Sequence, residues 1–227
     1  MGLDEAEAAA VTDRPGTSET ILGMANVGPP RDPVEEWERR VRWQFGNLRS
    51  FAEDTGIILG RADIPDPLPG YKPGMEVECY LQEAHLRVWK ATFPGQSGFG
   101  PAGYSTPFGY LRRLRLSNVI FGDDVQFEGI WPRKDGPSIV TSQTYILPDP
   151  LSGIPTEVEV ETYMQSLKFN WSASDNGWKR ERDGVLVQDC HPRNYIKTID
   201  DEVIAIDVQP KLLPDFAFEN VLSPDKI

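Results

Sequence analysis

The amino-acid sequence predicts an α+β fold, and three observations carry that reading. Apolar residues recur at helical spacing behind three capping signals, short apolar or β-branched runs fall between those stretches, and Pro- and Gly-rich connectors separate the groups. With 227 residues and 39% hydrophobic content, the chain can bury one substantial core or two small lobes.

The elements follow in order. Residues 1–31, with Ala8-Ala9-Ala10 and then Thr12, Pro15, Gly16, Gly28, Pro29 and Pro30, show no sustained period and read as a flexible leader. From Asp32-Pro33 the pattern changes: Val34, Trp37, Val41, Phe45, Leu48 and Phe51 recur at helical spacing. Asp32 is placed as the cap, Pro33 in the first turn and Glu35 in the capping box, and the helix ends before Gly56. Pro65, Pro67, Pro69, Gly70, Pro73 and Gly74 then punctuate a connector, so residues 32–74 form a helix and a Pro-rich segment.

Residues 75–147 read as a sheet with a helix. Two strand-like runs, 75–81 and 85–92, form a hairpin across Gln82-Glu83-Ala84 with Lys90 near its end. Thr106 as cap and Pro107 in the first turn open a helix with Tyr110, Leu111, Leu114 and Phe121 as its apolar stripe and Gly122 as its stop. Arg112, Arg113 and Arg115 take the other face, and strands follow at 125–131 and 138–146.

Pro148, Pro150, Gly153 and Pro155 mark a hinge, and residues 148–227 form the second lobe. There Thr156 and Glu159 make a capping box before Val160, Tyr163, Met164 and Leu167. Two apolar runs come next, 185–187 leading to Asp189-Cys190-His191-Pro192-Arg193-Asn194, and 203–208 carrying Asp207. They read as a hairpin that brings Asp189, Asn194 and Asp207 to one edge.

Charge and composition exclude several classes of function. A net charge of −12, with no Lys/Arg stripe interleaved with aromatics, argues against a nucleic-acid partner. The start Met1-Gly2-Leu3-Asp4-Glu5 has neither a basic segment nor an apolar core, and no apolar run is long enough for a membrane. Cys79 and Cys190 are too few and too far apart for a disulfide framework. A chain resident in the cytoplasm, with no membrane partner, is expected.

Two acids and an amide suit a hard divalent cation such as Mg²⁺, and a carboxylate left off the metal can orient a hydroxyl for attack on a phosphate. Each residue also has a plainer reading. Asp189 and Asn194 taken singly are turn formers, and Asp207 inside an apolar strand needs a partner such as a metal, an Arg or a capped backbone, with an ion pair to Arg193 the main rival to a metal. His191 reads as a hydrogen-bonding residue that fixes the loop. Gly98-Phe99-Gly100-Pro101-Ala102-Gly103 matches a dinucleotide fingerprint in letters only, because Pro101 removes an amide donor and no second βαβ unit follows.

The stretch from about Glu76 to Pro210 resembles the serine/threonine/tyrosine kinase domain of polyvalent proteins from mobile genetic elements. The residues that carry the resemblance are Val88-Trp89-Lys90, Thr106-Pro107-Phe108-Gly109-Tyr110-Leu111, Asn118-Val119-Ile120-Phe121-Gly122-Asp123-Asp124, Ser138-Ile139-Val140-Thr141-Ser142-Gln143, Asp189-Cys190-His191-Pro192-Arg193-Asn194 and Ile206-Asp207-Val208. Asn194 follows Asp189 by five positions, as in the wider kinase superfamily, and Asp207 follows thirteen later, where that superfamily has its second metal-binding Asp further on, on the next strand. His191, two after Asp189, is similar to small-molecule phosphotransferases.

The resemblance implies a minimal two-lobed protein-kinase-like fold with a truncated C-terminal lobe, and an enzyme that uses ATP and Mg²⁺ on protein hydroxyls. It implies that Asp189 accepts or orients the substrate proton, that Asn194 and Asp207 hold Mg²⁺, and that Lys90 neutralises the α and β phosphates. The hinge that meets the adenine falls at residues 140–145, including Gln143, and His191 and Arg193 stand behind the reacting groups. The chain departs from the family pattern in three places. The helix at 110–121 has no glutamate for Lys90, so that Glu128 or Asp124 is the available substitute; Val208-Gln209 replaces Phe-Gly after Asp207; and only twenty residues follow Asp207. A protein partner or fused domain is then expected to supply substrate recognition. The same departures leave a second reading open, a catalytically silent kinase-like module that binds nucleotide or protein.

Overall fold

Leu3–Val11 forms a helix, α1, inside the stretch expected to be a flexible leader. Asp4 and Glu5 in its first turn complement the helix dipole, and Ala-rich sequence without Gly or Pro sustains it. Leu3 and Ala6 are buried. The structure, a computed structural model, describes residues 2–11, 33–70, 76–98 and 105–221; the rest of that leader, the proposed Asp32 cap and most of the Gly98–Gly103 run lie outside the described residues. The chain divides into two compact units, residues 1–112 with 126–143 and residues 113–125 with 144–227.

In the first unit, α2 (Pro33–Thr55) buries Val41, Phe45, Leu48 and Ala52, a stripe at the expected helical period. Exposed i,i+4 pairs, Glu36 with Arg40, Glu38 with Arg42 and Arg49 with Glu53, line the solvent side and each add a few tenths of a kcal/mol at most, about 0.3–0.5. Gly56, at φ 73, ends the helix.

Five strands make the sheet of this unit: β1 (Asp66–Pro67), β2 (Val77–Gln82), β3 (Arg87–Thr92), β4 (Gln126–Arg133) and β5 (Gly136–Thr144), in the order β1-β2-β3-β5-β4. The β2–β3 turn sits one or two residues later than the sequence suggests. Glu83–His85 form a 3-10 turn and Leu86 takes a left-handed conformation at φ 49, so the second strand cannot begin before Arg87. Tyr80, Trp89, Ala91, Val140 and Ile64 form one core cluster. Against its edge Arg133 grips Glu78 bidentately at 2.6 and 3.3 Å and stacks over Trp131, which leaves the Glu78 carboxyl lowered in pKa although burial alone opposes that.

β4 carries a bulge between Phe127 and Gly129. There Gly129, at φ 148, lets the Ile57 carbonyl come so close that a Cβ would lie 2.1 Å from its oxygen. The approach is used, since Ile57 accepts the Ile130 amide at 3.2 Å and Leu59 donates to the Ile130 carbonyl at 2.9 Å.

Helix α3 (Pro107–Phe121) begins as expected, with Thr106 Oγ1 accepting the Gly109 amide at 3.1 Å and the buried Gln44 accepting the Phe108 amide at 2.9 Å. Its stripe differs from the sequence reading. Tyr110 and Leu111 are buried, but Leu116 and Ile120 replace Leu114 and Phe121 as its deepest C-terminal side chains. Residues up to Arg112 belong to the first unit and Arg113 onwards to the second, so no single stripe serves the whole helix.

The second unit contains α4 (Glu157–Ser166), whose capping box forms as read: Glu159 donates its amide to Thr156 Oγ1 and its carboxylate accepts the Thr156 amide at 2.7 Å. Three strands follow, β6 (Asn170–Ser172), β7 (Gly177–Arg180) and β8 (Val185–Gln188), then the short pair β9 (Tyr195–Lys197) and β10 (Val203–Ala205), and finally β11 (Gln209–Leu212). The larger sheet has the order β11-β8-β7-β6, with its three neighbouring pairs antiparallel. Its core joins Val160 and Met164 of α4 to Phe169, Trp178, Val185, Val187, Tyr195, Ala205 and Val208.

The expected hairpin of the two C-terminal apolar runs is corrected here. β8 pairs with β7 and β11, whereas Val203–Ala205 pairs with Tyr195–Lys197. The hinge segment is also tied down: the Asp149 amide donates to the Lys197 carbonyl and the Lys197 amide to the Gly153 carbonyl, at 2.8 and 3.0 Å. Trp178 is core, but Trp171 is 54% exposed. No helix among the described residues is long and apolar enough to cross a membrane.

Candidate active site

β8 is a continuous buried run, and its end is abrupt. Asp189 turns the chain in a left-handed conformation at φ 56, a geometry that aspartate tolerates better than most residues. The turn puts its side chain in solvent and directs the chain into a 3-10 turn at Pro192–Asn194, where the Asn194 amide donates to the His191 carbonyl at 2.9 Å.

Asn194 organises the loop through both its side chain and its main chain. Its Nδ2 donates to the Asp189 carbonyl at 2.7 Å. Its own carbonyl accepts the amides of Ile206 at 2.9 Å and Asp207 at 3.4 Å. One residue thus ties the loop after β8 to the bend after β10. With Nδ2 committed, Oδ1 is the atom of that side chain left to meet a cation.

The Asp189 carboxylate is held from two directions. His191 Nε2 lies 3.2 Å from Oδ1, and Gln209 Nε2 donates to Oδ2 at 3.4 Å. Asp207 sits in the bend past β10 with its side chain exposed. It is not inside an apolar strand, so the burial cost that called for a structural partner does not arise. The alternative ion pair with Arg193 is absent, as Arg193 is exposed and forms no ion pair among the described residues.

Beneath the loop, Cys190 is half-buried, its thiol 3.4 Å from the Gln188 carbonyl, and burial pushes it up to about 12. Tyr195 is buried beside it, with a hydroxyl that has no oxygen or nitrogen partner among the described residues; burial and then the Cys190 thiol push it up as well. Tyr195 belongs to the core cluster of this unit and Cys190 packs against it.

Lys90 and Gln143 lie in the first unit. Lys90 is half-buried on β3, opposite Cys79, with β2 and β5 as the flanking strands. Strand alternation puts it on the face opposite Trp89 and Ala91, away from their core cluster. Gln143 is half-buried near the end of β5. Glu128 accepts from the Ser142 hydroxyl, which also takes Arg87 Nε at 2.9 Å, and Asp124 accepts the Thr144 amide and hydroxyl at 2.8 Å each.

The structure therefore gathers Asp189, His191, Asn194 and Asp207 within the second unit and adds Gln209, which the sequence reading passed over. Gln209 is found through strand register, since it pairs with Gln188 and so lies beside Asp189. No group of three or more His, Cys, Asp and Glu side chains among the described residues is placed to hold a metal. The donors here are carboxylate and amide oxygens, which fit Mg²⁺ because that ion takes few protein ligands and completes its shell with water and phosphate.

Among known proteins, none of the curated sequences and none of the solved structures matches the chain. The family described as Serine/Threonine/Tyrosine Kinase found in polyvalent proteins matches residues 44–213, from within α2 to just past β11. That span holds Lys90, Gln143, Asp189, Asn194 and Asp207 and is about three quarters of the chain. With that match over most of its length, the chain belongs to the serine/threonine/tyrosine kinases found in polyvalent proteins.

Proposed function

We propose that the protein transfers the γ-phosphoryl group of ATP to a protein hydroxyl in a Mg²⁺-dependent reaction. Membership of a kinase family implies phosphoryl transfer and nucleotide binding. The observation that carries the finer reading is the double role of Asn194, which bonds the Asp189 carbonyl and receives the Asp207 amide. A proton acceptor and a metal-binding pair in this reaction class must be held in fixed relation, because positioning and electrostatics supply most of the catalysis.

In this reading Asp189 takes the proton of the acceptor hydroxyl, with His191 steadying one carboxylate oxygen. Asn194 Oδ1 and the Asp207 carboxylate hold Mg²⁺, which when bound neutralises charge on the phosphates. Lys90 meets the α and β phosphates, and the β5 end with Gln143 meets the base. Cysteines that form no disulfide and the use of ATP suit the cytoplasm. A protein substrate, brought by a partner or fused domain, and a mobile-element setting belong to the same reading.

Incubation with labelled ATP, Mg²⁺ and a mixed Ser/Thr/Tyr peptide pool tests it. Asp189→Ala is expected to lower incorporation about 100-fold or more, since general-base catalysis contributes 10²–10⁴. Equal signal from both proteins would sink the proposal. One observation favours the silent alternative: α3 carries no acidic residue. Binding of ATP in a thermal-shift experiment with no incorporation under any metal would select it.

A further inference from the structure

We propose that Gln209 is a positioning residue for Asp189, a role that rests on the reading of Asp189 as the proton acceptor. β11 pairs with β8 in a register that sets Gln209 opposite Gln188, the residue just before Asp189. Gln188 itself is turned elsewhere, its Nε2 donating to the Asp175 carbonyl at 2.9 Å. The neighbouring amide is therefore supplied across the strand pair, where Gln209 Nε2 reaches Asp189 Oδ2 at 3.4 Å while His191 Nε2 stands 3.2 Å from Oδ1.

The two donors restrict rotation of the carboxylate about its terminal torsion, which is otherwise broad and close to two-fold. Each oxygen keeps a second lone-pair direction for an acceptor hydroxyl. The Asp189 main chain is fixed separately, by Asn194 Nδ2 on its carbonyl. Loop and side chain are thus held by different residues, Asn194 bonding the Asp189 main chain and Gln209 its carboxylate. Gln209 also lies two residues past Asp207, so one short segment carries a proposed metal ligand and the amide that aims the proton acceptor. A one-residue slip between β8 and β11 would put Val208 or Pro210 in its place, and neither side chain can donate.

Gln209→Leu keeps the size of the side chain and removes the donor. Phosphoryl transfer by this variant is expected to fall about 10-fold in kcat, with KM for ATP and MgADP affinity unchanged; Lys211→Ala, on the same strand, is expected to match wild type. Full kcat in Gln209→Leu, or a fall in nucleotide affinity with kcat kept, would overturn the role. Asp189→Asn is measured alongside: if it retains wild-type activity, the reading of Asp189 is at fault and the Gln209 role goes with it. If Asp189→Asn is dead while Gln209→Leu is normal, only the Gln209 role fails. The contact has its own readout. The side-chain amide resonances of Gln209 are expected to move in Asp189→Asn and to stay in place in Lys211→Ala, and unmoved resonances in Asp189→Asn would overturn the proposal whatever the activity.

Discussion

The side-chain amide of Asn194 donates 2.7 Å to the main-chain carbonyl of Asp189, five residues upstream. This bond gives the loop its shape before any ligand arrives. Asn194→Ala removes both the donor and the oxygen proposed for Mg²⁺, and a loss of about 100-fold or more in transfer rate is expected. Asn194→Asp keeps an oxygen ligand and loses the donor, so it should retain more activity and a changed Mg²⁺ optimum. Rate against Mg²⁺ concentration for the three proteins checks this; identical curves would remove Asn194 from the metal site.

Arg180 and Asp183 form an ion pair in which each side chain is 1% exposed, with Arg180 also donating to the Leu167 carbonyl and lying over the Phe169 ring. Removing one partner leaves the other charged and buried. Asp183→Ala is expected to cost about 3–5 kcal/mol, against much less for a double replacement by apolar residues of similar volume. Urea denaturation of the single and double variants gives the comparison, and a single variant as stable as wild type would contradict it.

Two glycines separate backbone conformation from crowding. Gly122 has φ 72 and open space where a Cβ would go, so Gly122→Ala should cost about 1 kcal/mol. At Gly129, φ 148, an added Cβ would lie 2.1 Å from the Ile57 carbonyl oxygen, and backbone cannot step aside as a flexible side chain can. A cost of about 3 kcal/mol or more is expected for Gly129→Ala. Thermal melts of both rank them, and equal losses would discount the close approach.

Acid should act on α4 through Glu159. The bond from Lys197 Nζ, then the Thr156 cap, hold the Glu159 carboxyl down to about 2, below its ordinary value of 4.5. A carboxylate depressed on folding stabilises the native state fully above its ordinary range, and that contribution is lost as pH falls toward about 2. Melting temperatures of wild type and Glu159→Gln are thus expected to differ at pH 6 and to converge near pH 2. A difference that grows on acidification would reverse the assignment.

How far the sequence could be read follows from the range of the interactions. The Thr156–Glu159 box and the caps of α3 are local, within three residues, and both were legible. The Asp189, Asn194 and Asp207 set was legible as spacing, although the strands that carry it were paired wrongly. Strand partners are chosen by packing across the core, and Val185–Gln188 could not announce that it prefers Gly177–Arg180 and Gln209–Leu212 to Val203–Ala205. β6 and β7 were missed because strands of three and four residues around a turn at Asn176 leave too little alternation to count. Gln209 escaped for the same reason as the pairing: a glutamine becomes a neighbour of Asp189 only through register. α1 was hidden by an alanine run with no marked cap.

The central place of β8 bears on how this protein comes to life on refolding. Its flanking partners arrive from opposite directions along the chain, β7 from before it and β11 from after the β9–β10 pair. The loop that follows β8 cannot settle until the later strand has closed over a long intervening segment, a step slowed by loop entropy. Catalytic competence should accordingly lag behind collapse and helix formation, with activity regained in the slowest kinetic phase rather than in proportion to secondary structure.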